Sequence, residues 1–421
     1  MTATAPSLDT PRTVLSDLSA YLISGRVVEV TTATTHETDA RTPAQGVQDG
    51  VDAERIGFRR VFLSERWNLK EAAVVLSAVA ARTERIELAS GIITTAARHP
   101  LHMAGMAATL QATFGPRFIL GIGRGNPGWL SGAGLEMTTY AGLTDYVDIL
   151  RRLWRGEHVA YSGPLGQFSH LQLEDVHDLQ APPVWFGTLG QPVAARTAAA
   201  CFDGVLLPPV FTPEATESIV RRLRAECERI DRDPAGLRIC QSVITAPDLD
   251  ESETRALAHA RAVTYLDAPG YGEMLVRLNG WDPAPLARLR DHKQFDGMQT
   301  TVSDLSFHRY QLLGPAALVP DEWMEQSCAL GSVADCVQTL RRFRAAGADE
   351  IVTYGSTPNQ NSAVADAWRQ KPISSKRPRT RDPRLGDRVP DELDRHTEVE
   401  RRPDGGGTEA GIAPPSLPLR E

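Results

Sequence analysis

The sequence lacks the features that mark several common classes of protein. It contains no run of 18 apolar residues, so no membrane span is predicted. Its first residues, MTATAPSLDTPRT, show no basic segment followed by an apolar stretch, and no secretory signal is expected. The five cysteines are scattered and form no CxxC pair, which favours the reducing cytoplasm.

Motifs for metal and nucleophilic catalysis are also missing. The ten histidines form no HxxxH or HxH pattern, so no metal site is expected. There is no GxSxG motif and no readable Ser-His-Asp set. Paired carboxylates at strand ends are absent, and only Glu65 qualifies. The net charge of −8 argues against nucleic acid or an anionic membrane as the main partner.

Strand and helix patterns alternate along most of the chain. Strict alternation predicts parallel strands joined by crossover helices, and eight such units predict a closed (β/α)8 TIM barrel. An open doubly wound sheet is the alternative. The strand candidates are residues 20–24, 60–64, 86–89, 118–122, 183–187, 204–207, 237–245 and 350–354.

The segments outside this alternation predict the domain organisation. Residues 1–17 are expected to form a flexible N-terminal arm, and 18–370 the barrel domain. The longest interruption, 251–330, has a helical pattern and follows the seventh strand, so we expect a helical insertion between strand 7 and helix 7. Residues 371–421, rich in Pro, Arg, Asp and Gly, are expected to be a disordered tail.

Several breaks at strand ends predict a cofactor cradle. GIGRG (121–125) lacks the full dinucleotide-fold spacing, but its backbone N–H groups and Arg124 suit an anion; a flexible turn is the alternative. In GTLGQP (187–192) a strand end meets a helix start, which favours phosphate over a plain connection. Arg66 and Trp67 offer donors and a flat apolar wall, or else pack a lid. Gly91 predicts a bulge.

Four of these segments together resemble the bacterial-luciferase-like (LLM class) oxidoreductases. They are ASGI (89–92), RHP (98–100), LGIG (120–123) and PVWFG (183–187), and the RHP and GI pieces resemble the branch that uses the 8-hydroxy-5-deazaflavin coenzyme F420. The resemblance covers about residues 18–370. It implies a (β/α)8 barrel with the deazaflavin across its C-terminal mouth, and a cis peptide bond between Gly91 and Ile92 behind the flavin ring.

The resemblance also implies site residues. Coenzyme contacts fall on Glu65, Gly91, Ile92 and Thr94 for the ring, and on Arg124, Gly125, Trp129, Leu189, Gly190, Pro192 and Val193 for the ribityl chain and phosphate. The catalytic positions fall on Glu65, Arg66 and Asn126. Arg66 stands where related sugar-phosphate dehydrogenases have a catalytic His, and Asn126 where they have a Glu. Neither residue type exchanges a proton near neutral pH, so that substrate and mechanism are not carried over.

These features predict an enzyme that transfers a hydride between coenzyme F420 and an organic small molecule. One alternative is a two-component FMN-dependent monooxygenase that uses O2 and is supplied by a separate flavin reductase. The other is a barrel that binds flavin without turnover. A homodimer is compatible with all three hypotheses.

Overall fold

Eight parallel strands close into a barrel in this computed structural model, which describes residues 12–24, 41–66, 70–176, 179–297, 303, 307 and 309–370. Each strand pairs with the next one along the chain, and the eighth pairs with the first. The strands are β1 (Leu18–Tyr21), β2 (Arg60–Leu63), β3 (Glu87–Ser90), β4 (Phe118–Gly123), β5 (Val184–Gly187), β6 (Gly204–Leu207), β7 (Arg238–Pro247) and β8 (Glu350–Tyr354). The predicted closed barrel is confirmed, and the open doubly wound sheet is wrong.

One helix follows each strand and covers the outside of the barrel. Most of these helices start at a side chain that caps the first turn; Thr42, for example, forms a capping box with Gln45. The helices are α1 (Pro43–Ile56), α2 (Ala72–Ala80), α3 (Pro100–Phe114), α4 (Tyr140–Trp154), α5 (Pro192–Cys201), α6 (Pro213–Arg229), α7 (Val333–Ala345) and α8 (Ser362–Arg369). Among the described residues, no helix is long and apolar enough to cross a membrane.

Most element boundaries lie within a few residues of their predicted positions. The bounds of α4, β6 and β8 are those expected from the sequence. The sequence pattern predicts the second helix over 69–81, but α2 starts at Ala72, because the Glu71 side chain accepts the Val74 N–H at 2.6 Å and caps the helix there. Trp67, which was predicted to contact the cofactor, lies outside the described residues.

A group of short helices follows β7, as predicted. The helices are Glu251–Leu257, His259–Leu266, Tyr271–Asn279, Ala284–Arg290, Leu313–Ala316 and Asp321–Ser327. The insertion ends in a short strand, Ala329–Gly331, that extends the barrel sheet beside β7. A hairpin of Val159–Gly163 and Gly166–Leu171 separates α4 from β5.

Part of the expected N-terminal arm is packed on the barrel. Leu15 is buried and its N–H donates to the Gly57 carbonyl at 2.9 Å. Asp17 accepts from Arg344 and Trp368, each at 3.0 Å. The expectation of a flexible arm therefore fails for residues 12–17, because buried contacts fix them. Residues 1–11 and the expected tail, 371–421, lie outside the described residues.

Charged residues fill the N-terminal end of the barrel, opposite the predicted site. Glu350 is fully buried at the start of β8 and accepts from Ser19 at 2.5 Å and from Arg238 at 2.7 Å. The Arg60 Nε lies 2.8 Å from the same carboxylate, and its guanidinium lies over the Trp185 ring. This network closes the barrel floor, so the opposite end remains for a ligand.

Candidate active site

The break after β3 forms one wall of the barrel mouth. The peptide bond between Gly91 and Ile92 is cis, as predicted. The Gly91 carbonyl accepts from the hydroxyl of Tyr21 at 2.5 Å and from that of Ser64 at 2.6 Å. The Ile92 carbonyl accepts the Glu65 N–H at 3.1 Å. Residues at the ends of β1 and β2 therefore fix both carbonyl groups of this bulge.

The glycines at the ends of β4 and β5 make room for the Ile92 side chain. A Cβ atom on Gly123 would lie 2.2 Å from Ile92 Cδ1, and one on Gly187 would lie 2.6 Å from Ile92 Cγ2. No side chain fits at either position without displacing Ile92. The sequence predicted that glycines in 121–125 serve the approach of an anion. The structure gives Gly123 a packing role, which joins three strand ends around one isoleucine.

Glu65 is held in an ion-pair triad with Arg98 and Glu71. The Arg98 Nη2 atom donates to both carboxylates. Burial raises the pKa of Glu65 in spite of this pairing. Burial alone would also raise the pKa of Glu71, but hydrogen bonds from Arg98 and from the Val74 N–H lower it. Arg98 thus connects the loop after β2 to the loop after β3, which explains the arginine of the RHP motif.

Arg66, Asn126 and Trp129 form a second group at the mouth. The Asn126 side chain accepts the Gly128 N–H at 2.8 Å and the Trp129 N–H at 3.4 Å, and so caps the short helix Pro127–Gly132. The Arg66 guanidinium carbon lies 5.4 Å from the centre of the Trp129 ring. The two residues that replace the expected acid and base therefore both position Trp129.

Arg124 is anchored near the base of its guanidinium group. Its Nε donates to the Thr138 carbonyl at 2.6 Å, and its guanidinium carbon lies 4.1 Å from the centre of the Tyr140 ring. The Arg124 carbonyl accepts from Thr94 at 3.3 Å, which sets Thr94 against the backbone that continues into Gly125. Among the described residues, the Arg124 Nη atoms have no acceptor, so they are able to bind an anion.

Leu189 and Gly190 lie in the connection from β5 to α5, and Pro192 and Val193 are the first two residues of α5. Gly190 has φ +68°, and a Cβ there would lie 2.4 Å from Ile219 Cγ2, so glycine is required. Pro192 carries no N–H, and the Val193 N–H has no acceptor within the helix. Gln191 precedes the helix and makes no side-chain cap. The start of α5 therefore leaves N–H groups for an external acceptor.

Two arginines lie beside this helix start. Arg222 of α6 donates to the Gly190 carbonyl at 2.9 Å, and Arg277 of the insertion donates to the Gln191 side-chain oxygen at 3.3 Å. Burial, with the nearby charge of Arg277, lowers the pKa of Arg222. Within the described part of the chain, neither arginine pairs with a carboxylate. Among the described residues, the buried Gln191 Nε2 atom has no acceptor.

These features fit a ligand with a flat ring and a phosphate group. The bulge and Ile92 offer a rigid apolar wall, and the start of α5 offers N–H groups, an unpaired amide and two cations. Glu65, Arg66, Thr94, Arg124, Gly125, Asn126 and Trp129 come together through the ends of β2, β3 and β4, and Ile92 joins them to β5. No cluster of metal-binding side chains occurs among the residues that the structure covers.

Sequence reasoning missed several residues of the mouth. Tyr21 and Tyr354 are the last residues of β1 and β8, so their strand-end positions were a usable signal. Arg222, Arg261, Arg277 and Tyr265 lie on helices, with nothing in the local sequence to single them out. Arg222 contributes through the packing of α6 beside α5, and the other three contribute through the packing of the insertion over the barrel.

Comparison with known proteins agrees with this geometry. The family of luciferase-like monooxygenases matches residues 26–350. The chain is 24% identical over 314 residues to the 5,10-methylenetetrahydromethanopterin reductase of Methanolobus tindarius, which covers 74% of this chain and 90% of that protein. It is 31% identical over 195 residues to the F420-dependent glucose-6-phosphate dehydrogenase of Microbacterium testaceum, with 43% and 57% covered.

Solved structures share the fold. The coenzyme F420-dependent tetrahydromethanopterin reductase of Methanopyrus kandleri superimposes with a TM-score of 0.65 at 18% identity, over 83% of this chain and 97% of that chain. Flavin monooxygenases have the same barrel, including an FMN-bound Baeyer–Villiger enzyme of Pseudomonas putida with a TM-score of 0.56 at 15% identity, over 84% and 95% of the two chains. The chain therefore belongs to the luciferase-like monooxygenase family of enzymes.

Proposed function

We propose that this enzyme transfers a hydride between coenzyme F420 and an organic small molecule bound at the barrel mouth. The choice of F420 is supported by the similarity to the glucose-6-phosphate dehydrogenase described above, which is named as F420-dependent. When bound, the coenzyme supplies a ring carbon that accepts or gives a hydride. The protein's own residues bind and orient it and exclude water.

The start of α5 carries this proposal. Its first N–H groups, the buried Gln191 amide and the guanidinium groups of Arg222 and Arg277, which pair with no carboxylate among the described residues, lie around one place. A phosphodiester is the ligand group that these donors suit, since charge-assisted hydrogen bonds to phosphate are strong. Because the net charge of the protein is −8, only such local contacts can hold a polyanionic coenzyme.

The bulge at Gly91 and Ile92 is the proposed binding surface for the coenzyme ring. Hydrogen bonds from Tyr21 and Ser64 orient the Gly91 carbonyl, and Gly123 and Gly187 admit the Ile92 side chain. A wall fixed from several strands holds a planar ring without reorganising when the ligand binds. Arg98 keeps Glu65 in position beside this wall.

Parallel titrations with F420 and FMN test the proposal. We expect F420 to bind at least about tenfold more tightly than FMN. Arg277→Met should weaken F420 binding about tenfold, the effect of removing one hydrogen bond to a charged group. The matched control is Arg288→Met, an exposed arginine of the same insertion, which should leave affinity unchanged. Equal loss in both variants would remove the assignment of the phosphate to α5.

The FMN-dependent monooxygenase remains the second candidate, since the barrel also matches FMN-bound monooxygenases in fold. Tight FMN binding and oxygen consumption with FMN reduced by an added flavin reductase would favour it. Absorbance change of F420 on addition of substrate would favour hydride transfer. Tight binding of either coenzyme with neither reaction would favour a barrel that binds flavin without turnover.

We also propose that the enzyme is a homodimer through α2 and α3. The α2 sequence AAVVLSAVA carries no charge, and Val74 on it is 67% exposed. The α3 sequence PLHMAGMAATLQATF carries neither an acidic residue nor Lys or Arg. Interface cores are depleted in charged residues, and a self-complementary face suits a second copy. Light scattering should show a dimer, and Val74→Glu should shift it to monomer; an unchanged dimer would place the interface elsewhere.

A further inference from the structure

Three polar side chains join the insertion to the mouth of the barrel. Tyr354 ends β8 and is only 7% exposed. Arg261 and Tyr265 lie one turn apart on the helix His259–Leu266. Arg261 donates to the Tyr354 oxygen from Nε at 2.9 Å and also from Nη2. The Tyr265 and Tyr354 hydroxyl oxygens lie 2.9 Å apart. One phenolic oxygen thus receives hydrogen bonds from two side chains of the insertion.

This cluster is linked to the wall on which the proposed coenzyme ring rests. The Tyr354 and Tyr21 rings meet edge to face with centroids 4.8 Å apart. Tyr21 in turn donates to the Gly91 carbonyl. Burial raises the pKa of Tyr21, so its hydroxyl keeps its proton and remains a donor. A substrate that faces the ring therefore lies within the neighbourhood of Tyr354.

The two phenols of this cluster carry two O–H protons, and the hydrogen bond between them uses only one. Arg261 only donates hydrogen bonds. The two phenols share a single hydrogen bond, which uses one of their two O–H protons. Among the described residues, neither phenol has a second acceptor. The remaining proton is available to an acceptor atom on a ligand.

We propose that Tyr354 donates this proton to a substrate oxygen, and that the substrates are aldehydes or ketones. The inference rests on the proposed function. The reduced deazaflavin, held at the Gly91–Ile92 bulge and the start of α5, would supply a hydride with both electrons to the carbonyl carbon and would itself be oxidised. The C=O π bond opens, and the oxygen takes the Tyr354 proton to give an alcohol. The phenolate left behind accepts from Arg261 and Tyr265 and regains a proton from solvent.

Tyr354 would supply a proton that the residues at the expected acid and base positions cannot give. Arg66 and Asn126 stand at the expected acid and base positions, and neither side chain transfers a proton near neutral pH. Glu65 is occupied by Arg98. Burial raises the pKa of Tyr265 well above its ordinary value, which keeps that hydroxyl protonated as a donor to Tyr354. Arg261 and Tyr265 act as positioning residues.

The test compares Tyr354→Phe with Tyr271→Phe. Tyr271 lies on the same insertion with its ring 5.9 Å from that of Tyr265, outside the hydroxyl cluster. Both variants should bind F420 like the wild type. With the reduced coenzyme bound, single-turnover reduction of benzaldehyde and cyclohexanone should fall at least about 100-fold in Tyr354→Phe and stay unchanged in Tyr271→Phe.

A binding measurement tests the hydrogen bond from Tyr354 to a carbonyl oxygen without any turnover. Isobutyramide presents a carbonyl oxygen that is not reduced, and calorimetry on the F420-loaded protein should show about tenfold weaker binding to Tyr354→Phe than to wild type. Arg261→Ala should slow the single turnover and Arg261→Lys should restore part of it, which covers the case in which Tyr354→Phe does not fold.

Three results would overturn the inference. They are a wild type that binds F420 but reduces neither probe, a Tyr354→Phe protein within about threefold of wild type in rate, and equal isobutyramide affinity in the two proteins. If the wild type does not bind F420 in the titration, the proposed function itself is wrong, and this result is distinct from the three above.

Discussion

The triad around Arg98 offers a direct test of how the mouth is held together. Arg98→Met keeps most of the side-chain volume but removes the charge between Glu65 and Glu71. The Glu65 side chain is 5% exposed, so its carboxylate would stay buried without its partner. Removing one member of a buried pair is expensive, because the other charge is left uncompensated.

The magnitude follows from the exposure of the three side chains. Breaking a buried pair costs about 3–5 kcal/mol. The Arg98 side chain is 20% exposed and Glu71 is 41% exposed, so solvent screens part of the interaction. We therefore expect Arg98→Met to lower the free energy of unfolding by about 3 kcal/mol near pH 8, at the lower end of that range.

This loss should depend on pH in a defined direction. Burial already raises the folded-state pKa of Glu65, and without Arg98 it rises further. An ionised carboxyl with a raised folded-state pKa destabilises the fold, and this effect disappears as the pH falls through that pKa toward the unfolded value of about 4.3. Glu71 has a lowered pKa in the wild type, so its stabilisation is lost only below the unfolded value of about 4.3 and leaves the difference above pH 5 to Glu65. The difference between mutant and wild type should therefore shrink between about pH 8 and pH 5.

Urea unfolding followed by circular dichroism at both pH values measures these differences. The double variant Glu65→Gln/Arg98→Met removes both charges, so it should be more stable than Arg98→Met alone at the higher pH. An equal loss at both pH values, or a double variant no more stable than the single one, would refute the role of Glu65 as a buried charge held by Arg98.

Three further predictions concern the floor, the phosphate side and the capped helix. Glu350→Ala should lower the free energy of unfolding by about 3–5 kcal/mol in urea, whereas Arg155→Ala, which removes an exposed ion pair, should leave it nearly unchanged. Gly190→Ala should cost about 1–3 kcal/mol and weaken coenzyme binding in the same titration, because its φ is +68°, whereas Gly236→Ala should do neither. Asn126→Ala should lower the melting temperature through loss of a cap worth about 1 kcal/mol, and Asn126→Asp should retain it.

The sequence was sufficient for the barrel because its signals are local. β6 is a short apolar run and β8 has an apolar centre, every residue of both strands is buried, and α4 has a strong amphipathic pattern with a Thr139 cap. The start of α2 was misplaced because the cap is a glutamate, which is less common at that position than Ser, Thr, Asp or Asn.

The site was harder to predict, because its contacts join distant segments. The RHP motif was visible, but its arginine binds glutamates 33 and 27 residues earlier in the chain. Arg222 and Arg277 come from a barrel helix and from the insertion, so only tertiary packing shows that both border the start of α5. The glycines of 121–125 were visible as well, yet the packing role of Gly123 depends on the side chain of Ile92.

The departures at Arg66 and Asn126 make physical sense as a pair. Asn126 caps the helix that carries Trp129, and Arg66 stacks on the ring that this helix presents. Both side chains therefore help to form the wall of the mouth beside β2 and β4. Neither exchanges a proton near neutral pH. A reaction that needs a proton must then obtain it from another wall of the mouth. Tyr354, with Arg261 and Tyr265 bonded to its oxygen, brings such a group from β8. In the proposed mechanism the proton source therefore lies at the end of β8, and the proposed coenzyme wall is formed by Gly91 and Ile92.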